Sequence, residues 1–230
     1  MPVQVDVDQF VLFEDSPSSY YGCEDRRTDV DAVLKQLNLN VKKSNIKLDG
    51  GNIVQSRNRV IITERILKEN LNYSTNALIK ELEELLQAEV ILIPTEPYDD
   101  LGHADGMVNL IDDANVLVND YVKTDASKSF QKKLHQRLKS NGFSIFTIPY
   151  TPDSIRYNPE IASAMGVYIN YLQIGNQILF PFFGTDKADF EAFHSINELF
   201  NGDVIPIHCA EIAKQGGVLN CMTWPFQTTN

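Results

Sequence analysis

The sequence lacks the features that mark several large classes of protein. It has no run of about 18 or more apolar residues, the length that a membrane-spanning helix needs. Its first residues, MPVQVDVDQF, contain neither the basic region nor the apolar stretch of a secretory signal. Lys and Arg number 20 against 31 Asp and Glu, which gives a formal net charge of -11. Because nucleic acid is held mainly by Lys and Arg, we expect neither a nucleic-acid partner nor a membrane span.

Cysteine and histidine are scarce as well. The three cysteines, Cys23, Cys209 and Cys221, cannot all pair within one chain, and none lies in a Cys-x-x-Cys spacing. The four histidines do not cluster with them as zinc ligands would. We therefore expect no metal site and a reducing compartment, the cytoplasm. Each thiol is then either a small buried apolar group or a reactive one.

The sequence does contain enough apolar surface for a core. Hydrophobic residues make up 43% of the 230 residues and aromatic residues 10%, a composition that excludes wholesale disorder. No linker rich in Pro, Gly or Ser divides the chain. The polar stretches 14–27 and 151–159 resemble insertions within one domain. The sequence predicts one α/β domain spanning residues 1–230.

Four amphipathic segments of this domain predict helices. Each begins beside Thr, Ser or Asp, whose side chains accept hydrogen bonds from the free N–H groups of a first helical turn. The helices are expected to open at Thr28, at Ser74 and Thr75, after Asp125 and Ser127, and after Thr185. Their apolar faces consist of Val30, Val33, Leu34 and Leu37; Leu78, Leu82, Leu85 and Leu86; Phe130, Leu134 and Leu138; and Phe190, Phe193, Ile196, Leu199 and Phe200.

Strand-like runs flank these helices in a loose repeat. Two runs precede and one follows each of the last three helices, and QFVLF and NIKLDG flank the first. The repeating unit is therefore ββαβ, with a period of about 50 residues, at which repeat architectures are expected. The last run, GGVLNCMTWPFQ, predicts a strand and the first half of a fifth unit. A plain α+β domain with hairpins is the alternative, since it would give a similar string.

Glycines and acidic residues gather at the junctions between units. Three junctions stand out, at Leu48–Asn52, Gly102–Gly106 and Gly216–Cys221. Glycine pairs at a strand exit allow positive φ and a close approach of the backbone to a ligand. If His103 and Asp105 lie on a strand, their side chains share one face, because side chains alternate along a strand. Each feature alone has an ordinary explanation as a turn, a surface pair or a core cysteine.

Together the junctions resemble the guanidine-modifying superfamily, in particular the agmatine deiminases and the related bacterial peptidylarginine deiminases. The resemblance extends from about Val5 to Gln227. The matching segments are Leu-Asp-Gly-Gly-Asn-Ile (where the family has Glu for Asp), Ile62–Arg65, Gly102-His103-x-Asp105, Tyr168–Tyr171, Phe180–Gly184 and Gly216–Thr223. The resemblance implies a pseudo-five-fold α/β propeller of ββαβ units around a central site, shortened here at the N-terminus.

The resemblance also implies a reaction and its residues. A guanidinium is planar and protonated at neutral pH, so its hydrolysis needs carboxylates, a strong nucleophile and a proton donor. Cys221 would attack as a thiolate and form a covalent intermediate. His103 would protonate the departing amine and then activate water, and Asp105 would hold the guanidinium. Asp49 would either orient His103 or share the cation. The mechanism uses no metal and no cofactor.

Two further substrate-binding residues are carried over by position. Asp6 is the best match to a family aspartate in an Arg-Asp-x-Gly-Pro motif, although Val5 stands where the family has Arg. Asp8 and Asp15 compete with Asp6 for this role. Trp224 is either a core anchor of the last strand or a wall of the substrate pocket.

Several departures from the family keep three functions open. Gly106 stands in place of an Asn and Asn220 in place of a His, and Asp49 is one methylene shorter than the family's Glu. Family members usually carry a further N-terminal segment. The first hypothesis is a deiminase that converts agmatine, arginine or peptidyl arginine to a ureido product and ammonia. The others are a non-catalytic binding protein and an amidinotransferase. A homo-oligomer or a partner would complete the site around a small cationic substrate.

Overall fold

The computed structural model describes residues 2–14, 29–97, 99, 101–121, 125–153, 155, 157 and 162–227. These residues form four three-stranded sheets in which the strands lie in chain order. In every sheet the first two strands pair antiparallel, and the third returns after a helix to pair parallel with the second. This is the predicted ββαβ unit, and its recurrence in all four sheets confirms the repeat over unrelated hairpins.

The units follow one another along the chain. The first contains β1 (Val3–Asp6), β2 (Gln9–Glu14), α1 (Val30–Leu37) and β3 (Val41–Lys47). The second contains β4 (Val54–Gln55), β5 (Arg59–Thr63), a short additional helix α2 (Arg65–Glu69), α3 (Thr75–Leu86) and β6 (Glu89–Ile93). The third contains β7 (Val108–Leu110), β8 (Asn115–Asp120), α4 (Asp125–Ser140) and β9 (Ser144–Pro149). The fourth contains β10 (Leu172–Ile174), β11 (Gln177–Phe182), α5 (Asp186–Leu199) and β12 (Asp203–His208).

The second and third repeat helices have the expected apolar faces. Ser74 caps α3, because its hydroxyl accepts a hydrogen bond from the N–H of Ala77 at 3.3 Å. The predicted leucines of α3 and the predicted apolar residues of α4 are all buried. In these two helices the hydrophobic spacing alone identified the face that packs on the sheet.

The first and last repeat helices depart from the prediction. Helix α1 begins after Asp29, whose carboxylate accepts from the N–H of Ala32 at 3.0 Å, and Thr28 lies outside the described residues. On its predicted face only Leu34 is buried, while Leu37 is exposed. In α5, Phe190 is 69% exposed.

The start of α5 lacks the Thr185 side-chain cap that the sequence predicts. Thr185 precedes the helix, but its side chain makes no capping hydrogen bond. Instead the buried carboxylate of Asp189 accepts from the N–H groups of Thr185 and Gly184, both at 2.9 Å. These N–H groups precede the first turn of α5, so the carboxylate holds the turn that leads into the helix and does not replace a cap.

The predicted strand at the end of the chain is wrong. Within residues 209–227 the structure has a short helix α6 (Ala210–Ala213) and a 3₁₀ helix (Asn220–Met222) but no strand. The segment beyond them is held by the Gln4 side chain, whose Nε2 donates to the carbonyl of Gln227 at 2.8 Å. Its Oε1 accepts from the N–H of Gln227, also at 2.8 Å. A side-chain amide thus supplies the partners that a sheet ladder would have supplied, and no fifth half-unit forms here.

Three buried apolar clusters join successive units. The first lies between units one and two, the second between units two and three, and the third between units three and four. Representative members, one from each unit, are Ile46 and Leu82, Ile93 and Val118, and Ile148 and Phe180. Because the third cluster also includes Val218 and Leu219, the segment after β12 is held against the fourth unit. This packing brings the junctions between units together.

Candidate active site

The predicted site residues lie in the junctions that follow β3, β6 and β12. Asp49 precedes a 3₁₀ helix at Gly50–Asn52, and Cys221 lies in the 3₁₀ helix near the end of the chain. The N–H of Asp105 donates to the carbonyl of Gly51 at 3.0 Å, which joins the first two junctions.

His103 and Asp105 do not lie on a strand, so the condition under which their side chains would share a strand face is not met. Strand β6 ends at Ile93, and Gly102 takes a φ of 62°, which breaks any extended run before His103. Asp105 itself lies in a turn. The two side chains are therefore positioned by loop hydrogen bonds and not by the alternation of a strand.

Asp49 orients the His103 ring. The distance between His103 Nε2 and Asp49 Oδ2 is 3.0 Å, and both side chains are largely buried. Burial alone would lower the pKa of His103, but the hydrogen bond to Asp49 and the negative charges of Asp105, Asp49 and Asp99 outweigh it, so the pKa is raised. The ring is therefore more readily protonated near neutral pH than a free imidazole.

Gly51 makes room for this ring. A Cβ at position 51 would overlap Nδ1 of His103. Neither Gly50 nor Gly51 has a positive φ. Gly51 is thus needed for space, and neither glycine of the pair supplies the positive φ that the sequence suggested.

The carboxyl group of Asp105 is buried and lies beside the Cys221 thiol. Its Oδ2 accepts a hydrogen bond from Asn220 Nδ2 at 2.9 Å and lies 3.9 Å from the sulfur of Cys221. Burial raises the pKa of Asp105, while the His103 charge and the amide groups of Asn220 and Asn170 oppose the rise. A buried carboxylate with so few positive neighbours is well suited to receive a cation.

Cys221 is exposed as a residue, but protein atoms surround its sulfur. Burial of the thiol and the neighbouring Asp105 charge raise its pKa to about 11. The sulfur also lies 3.4 Å from Asn170 Oδ1, and this contact opposes the rise without cancelling it. In the free chain the thiol therefore carries its proton at neutral pH.

Asn170 is a site residue to which the sequence assigned no role. Its side chain is buried, and its Nδ2 donates to the carbonyl of Asp105 at 3.3 Å. Its Oδ1 accepts from the backbone N–H of Cys221, also at 3.3 Å. The Asn170 amide therefore connects the segment that carries Asp105 to the segment that carries Cys221. Its place in the Tyr168–Tyr171 motif was the available signal, but an Asn among aromatic residues is also typical of a core.

Two other residues of the matching motifs, Asn52 and Thr63, support the loop that carries His103. Asn52 Oδ1 accepts from the N–H of Thr63 at 2.9 Å, and Thr63 Oγ1 donates to the carbonyl of Gly102 at 2.7 Å. Both side chains are buried. The Gly-Gly-Asn motif, the Thr of β5 and the Gly before His103 thus form one connected structure.

The family model of the Porphyromonas-type peptidyl-arginine deiminases matches residues 18–226. The chain belongs to this family. Its members hydrolyse a C–N bond of a guanidino group, so the predicted family and reaction class are confirmed. A search of curated proteins found no match.

Solved structures of deiminases share the fold of this family member. A substrate-bound Cys-to-Ser variant of the agmatine deiminase of C. jejuni aligns with a TM-score of 0.75 at 19% identity, over 92% of this chain and 66% of that one. The agmatine deiminase of Enterococcus faecalis aligns with a TM-score of 0.74 at 17% identity, over 92% and 68%. The N-terminal domain of a cyanobacterial arginine dihydrolase, also substrate-bound, gives 0.57 at 12% identity, over 97% and 73%. The chain spans about two thirds of the length of the two agmatine deiminases.

The two remaining predicted residues of this deiminase family member lie in the first unit and the last segment. Asp6 is exposed at the end of β1, and its Oδ1 accepts from the N–H of Val7 at 2.8 Å. Trp224 packs edge-on against Phe10, with 6.0 Å between ring centroids, and against Phe226 at 4.7 Å. These contacts favour an anchoring role for Trp224.

The other candidates contribute nothing visible to this site. Asp8 lies in an exposed turn, and Asp15 and Cys23 lie outside the described residues. Cys209 is buried in the third cluster. Within the described part of the chain, no group of three or more His, Cys, Asp or Glu side chains is arranged to hold a metal ion. No helix in that part is both long and apolar enough to cross a membrane.

Proposed function

We propose that this chain hydrolyses a guanidino group to a ureido group and ammonia through a covalent intermediate on Cys221. The observation that carries the proposal is the cluster itself. The Cys221 sulfur lies 3.9 Å from the buried Asp105 carboxyl, and His103 is hydrogen-bonded to Asp49 at 3.0 Å in the adjoining junction. These are the nucleophile, the cation-binding group and the acid that the reaction requires.

Substrate binding prepares the nucleophile in this mechanism. The guanidinium cation pairs with the Asp105 carboxylate, which neutralises the charge that disfavours a thiolate at Cys221. The substrate's own positive charge then lowers the pKa of the nearby thiol from its raised value. Cys221 is thus ionised when a cation is present and protonated when the site is free, which protects it from unproductive reactions.

His103 carries the protons of both half-reactions. The Cys221 thiolate attacks the guanidinium carbon, and the new S–C bond forms as the carbon becomes tetrahedral. Protonated His103 gives its proton to the departing nitrogen, so the C–N bond breaks and ammonia leaves a thiouronium on the sulfur. Neutral His103 then takes a proton from water as its oxygen attacks that carbon. The C–S bond breaks, and the ureido product and the thiolate are released. Asp49 keeps the ring oriented throughout.

The substrate class in this proposal is a small cationic guanidine: agmatine, free arginine or an arginyl peptide. The structural relatives act on agmatine or arginine, and discrimination depends on groups that meet the far end of the substrate. Asp6 is our candidate for that end, because it is exposed at the end of β1, whereas we take Trp224, which packs on Phe10 and Phe226, as the anchor of the last segment. We place the reaction in a single cytoplasmic domain of residues 1–230 that uses neither metal nor cofactor.

The test is turnover of the three substrates. Ureido product and ammonia are measured with agmatine, arginine and an arginyl peptide, for the wild type and for Cys221→Ala. The matched control is Cys209→Ala, which removes a buried thiol that packs in the third apolar cluster. We expect the loss of turnover only in Cys221→Ala, and unchanged turnover in that variant would exclude the mechanism.

A non-catalytic binding protein is the second candidate function. It is favoured by the high pKa of Cys221, about 11, and by the shorter Asp49 and the Asn220 substitution. Labelling by a haloacetamidine separates the two, because this reagent carries the cation that ionises the thiol. Labelling of Cys221 in preference to Cys209 supports the enzyme, whereas intact protein without labelling supports the binding protein.

Two finer questions have direct assays. Amidino transfer differs from hydrolysis in its leaving group and in its acceptor, because the amine that carries the substrate's chain departs and an added primary amine takes the amidino group. Release of that amine together with a new guanidine on the acceptor would identify a transferase. A homo-oligomer or a partner that completes the site is measured by light scattering of the purified chain, with and without substrate.

A further inference from the structure

Glu96 is a partly buried acidic residue for which the mechanism has no use. It follows β6 at the start of the loop that leads to His103 and Asp105. Two tyrosine hydroxyls donate to its carboxylate, Tyr121 to Oε2 at 3.0 Å and Tyr150 to Oε1 at 3.3 Å. The tyrosines follow β8 and β9, so the carboxylate bonds the loop to the neighbouring unit.

The same tyrosine also connects with the other end of the loop. Asn119 Nδ2 lies 3.4 Å from the Tyr121 hydroxyl and donates to the carbonyl of Gly106 at 2.7 Å. Tyr121 packs edge-on on Tyr150, with 4.9 Å between ring centroids, and it is buried. Both ends of the loop, Glu96 and Gly106, are therefore bound to one buried group of side chains in the third unit.

Asp99 extends this support to the catalytic histidine. Its N–H donates to the carbonyl of Glu96 at 3.4 Å, and its Oδ2 accepts from the N–H of His103 at 3.2 Å. Its Oδ1 accepts from the N–H of Leu101 at 2.9 Å. A chain of hydrogen bonds thus runs from Glu96 through Asp99 to the backbone of His103.

We propose that Glu96 is a positioning residue that, through Tyr121 and Tyr150, fixes the loop carrying His103 and Asp105. It touches no reacting atom. It acts by keeping the His103 ring against Asp49 and the Asp105 carboxyl against Cys221. A displacement of about 1 Å at such a site costs on the order of a hundredfold in rate, so loss of this support reduces catalysis while the fold is retained.

Few charged residues face Glu96 from the elements that pack against it. Asp99 lies on the same loop and is the one charged residue that acts on Glu96 among the described neighbours. Tyr121 and Tyr150 face it from the third unit, and burial raises the pKa of both hydroxyls, so both remain protonated donors. The geometry therefore leaves the two hydroxyls as the groups that hold the carboxyl in place.

The variants that test the proposal remove single hydrogen bonds. Tyr121→Phe and Tyr150→Phe delete a hydroxyl with almost no change in volume, Glu96→Ala deletes the carboxyl, and Glu96→Gln keeps an acceptor. The matched control is Tyr73→Phe, which breaks another tyrosine–glutamate contact, to Glu81 at 3.4 Å, outside this loop. Circular dichroism and thermal unfolding identify variants that retain the fold.

Two measurements report the result, and only one depends on the proposed function. The first is the NMR titration of the His103 ring in the substrate-free protein, whose raised pKa is expected to fall toward the ordinary value in Glu96→Ala and in Tyr121→Phe. The second, which rests on the proposed function, is kcat, expected to fall about tenfold to a hundredfold in the same variants. Glu96→Gln is expected to restore most of both. The proposal would be overturned if folded Glu96→Ala and Tyr121→Phe variants kept the His103 titration of the wild type. It would also be overturned if Tyr73→Phe lowered the His103 pKa and kcat as much as these variants do.

Discussion

The Asp105 carboxylate lies 3.9 Å from the sulfur of Cys221, although 116 positions of sequence separate the two residues. Burial is the main cause of the raised pKa of the Cys221 thiol, and this contact raises it further, because a negative charge beside a partly buried thiol opposes its ionisation. The reactivity of Cys221 therefore depends on whether a cation occupies the space next to Asp105.

Removing the Asp105 charge is expected to make the free thiol more reactive while it abolishes turnover. In Asp105→Asn the pKa of Cys221 falls from about 11 toward its ordinary value, because the main charge that raises it is gone. The alkylation rate of Cys221 by iodoacetamide, followed against pH in the absence of substrate, measures the change. Adding agmatine to the wild type is expected to shift the same profile to lower pH. A profile that neither change moves would show that Asp105 does not control the thiol.

Gly51→Ala is expected to displace the His103 ring. A Cβ at position 51 overlaps the ring nitrogen, so the ring has to leave its hydrogen bond with Asp49. We expect kcat to fall about a hundredfold with a small change in thermal stability. Gly106→Ala is the matched control, since a Cβ there would come no closer than 4.0 Å to a neighbouring atom. Equal activities in the two variants would contradict the steric argument.

Replacing Asn170 is expected to weaken both the fold and the nucleophile. In Asn170→Ala the N–H of Cys221 and the carbonyl of Asp105 lose their shared partner. Unpaired buried groups cost about 1–3 kcal/mol each, so urea unfolding should show a loss within this range or somewhat above it. Haloacetamidine labelling of Cys221 should slow in the folded protein. Asn197→Ala is the control, because that amide bonds only within exposed positions of α5. A labelling rate unchanged from wild type would remove Asn170 from the site.

Glu96 is expected to make folding stability fall as pH rises. Burial raises its pKa from 4.5 to about 7, so between these values the folded chain keeps a proton that the unfolded chain has lost. The stability therefore decreases with rising pH through this window, by at most about 3 kcal/mol. Urea unfolding of the wild type and of Glu96→Gln, compared at pH 4.5, 6 and 7.5, isolates the Glu96 contribution from that of His103. If the difference between the two proteins does not change with pH, Glu96 does not titrate in this range.

The sequence identified the units and the junction residues better than it identified the reasons for them. Helical spacing located α3 and α4 because their burial is periodic, and the three junction motifs marked Asp49, His103 and Cys221. The strand face that His103 and Asp105 would share on a strand does not form, since Gly102 turns the chain there. Local pattern does not reveal that a loop is held by hydrogen bonds from other units.

Residues that act across units were the ones the sequence could not assign. Asn170 bonds to Asp105 and Cys221 over 65 and 51 positions, and Glu96 bonds to Tyr150 over 54. No periodicity or spacing relates such pairs. Phe190 on α5 shows the opposite error. The apolar pattern placed it on the buried face of the helix, but its side chain is exposed.

The attachment of the last segment at both of its ends has a consequence for synthesis. On one side Val218 and Leu219 are buried with the fourth unit, and on the other Trp224 packs on Phe10 of β2. The 3₁₀ helix that carries Cys221 lies between these attachments. A chain still emerging from the ribosome can fold its earlier units in order, but it cannot place this thiol beside Asp105 until residues near both ends have met. The contact between Cys221 and Asp105 is therefore expected to form only after the last segment has packed on both the fourth and the first unit.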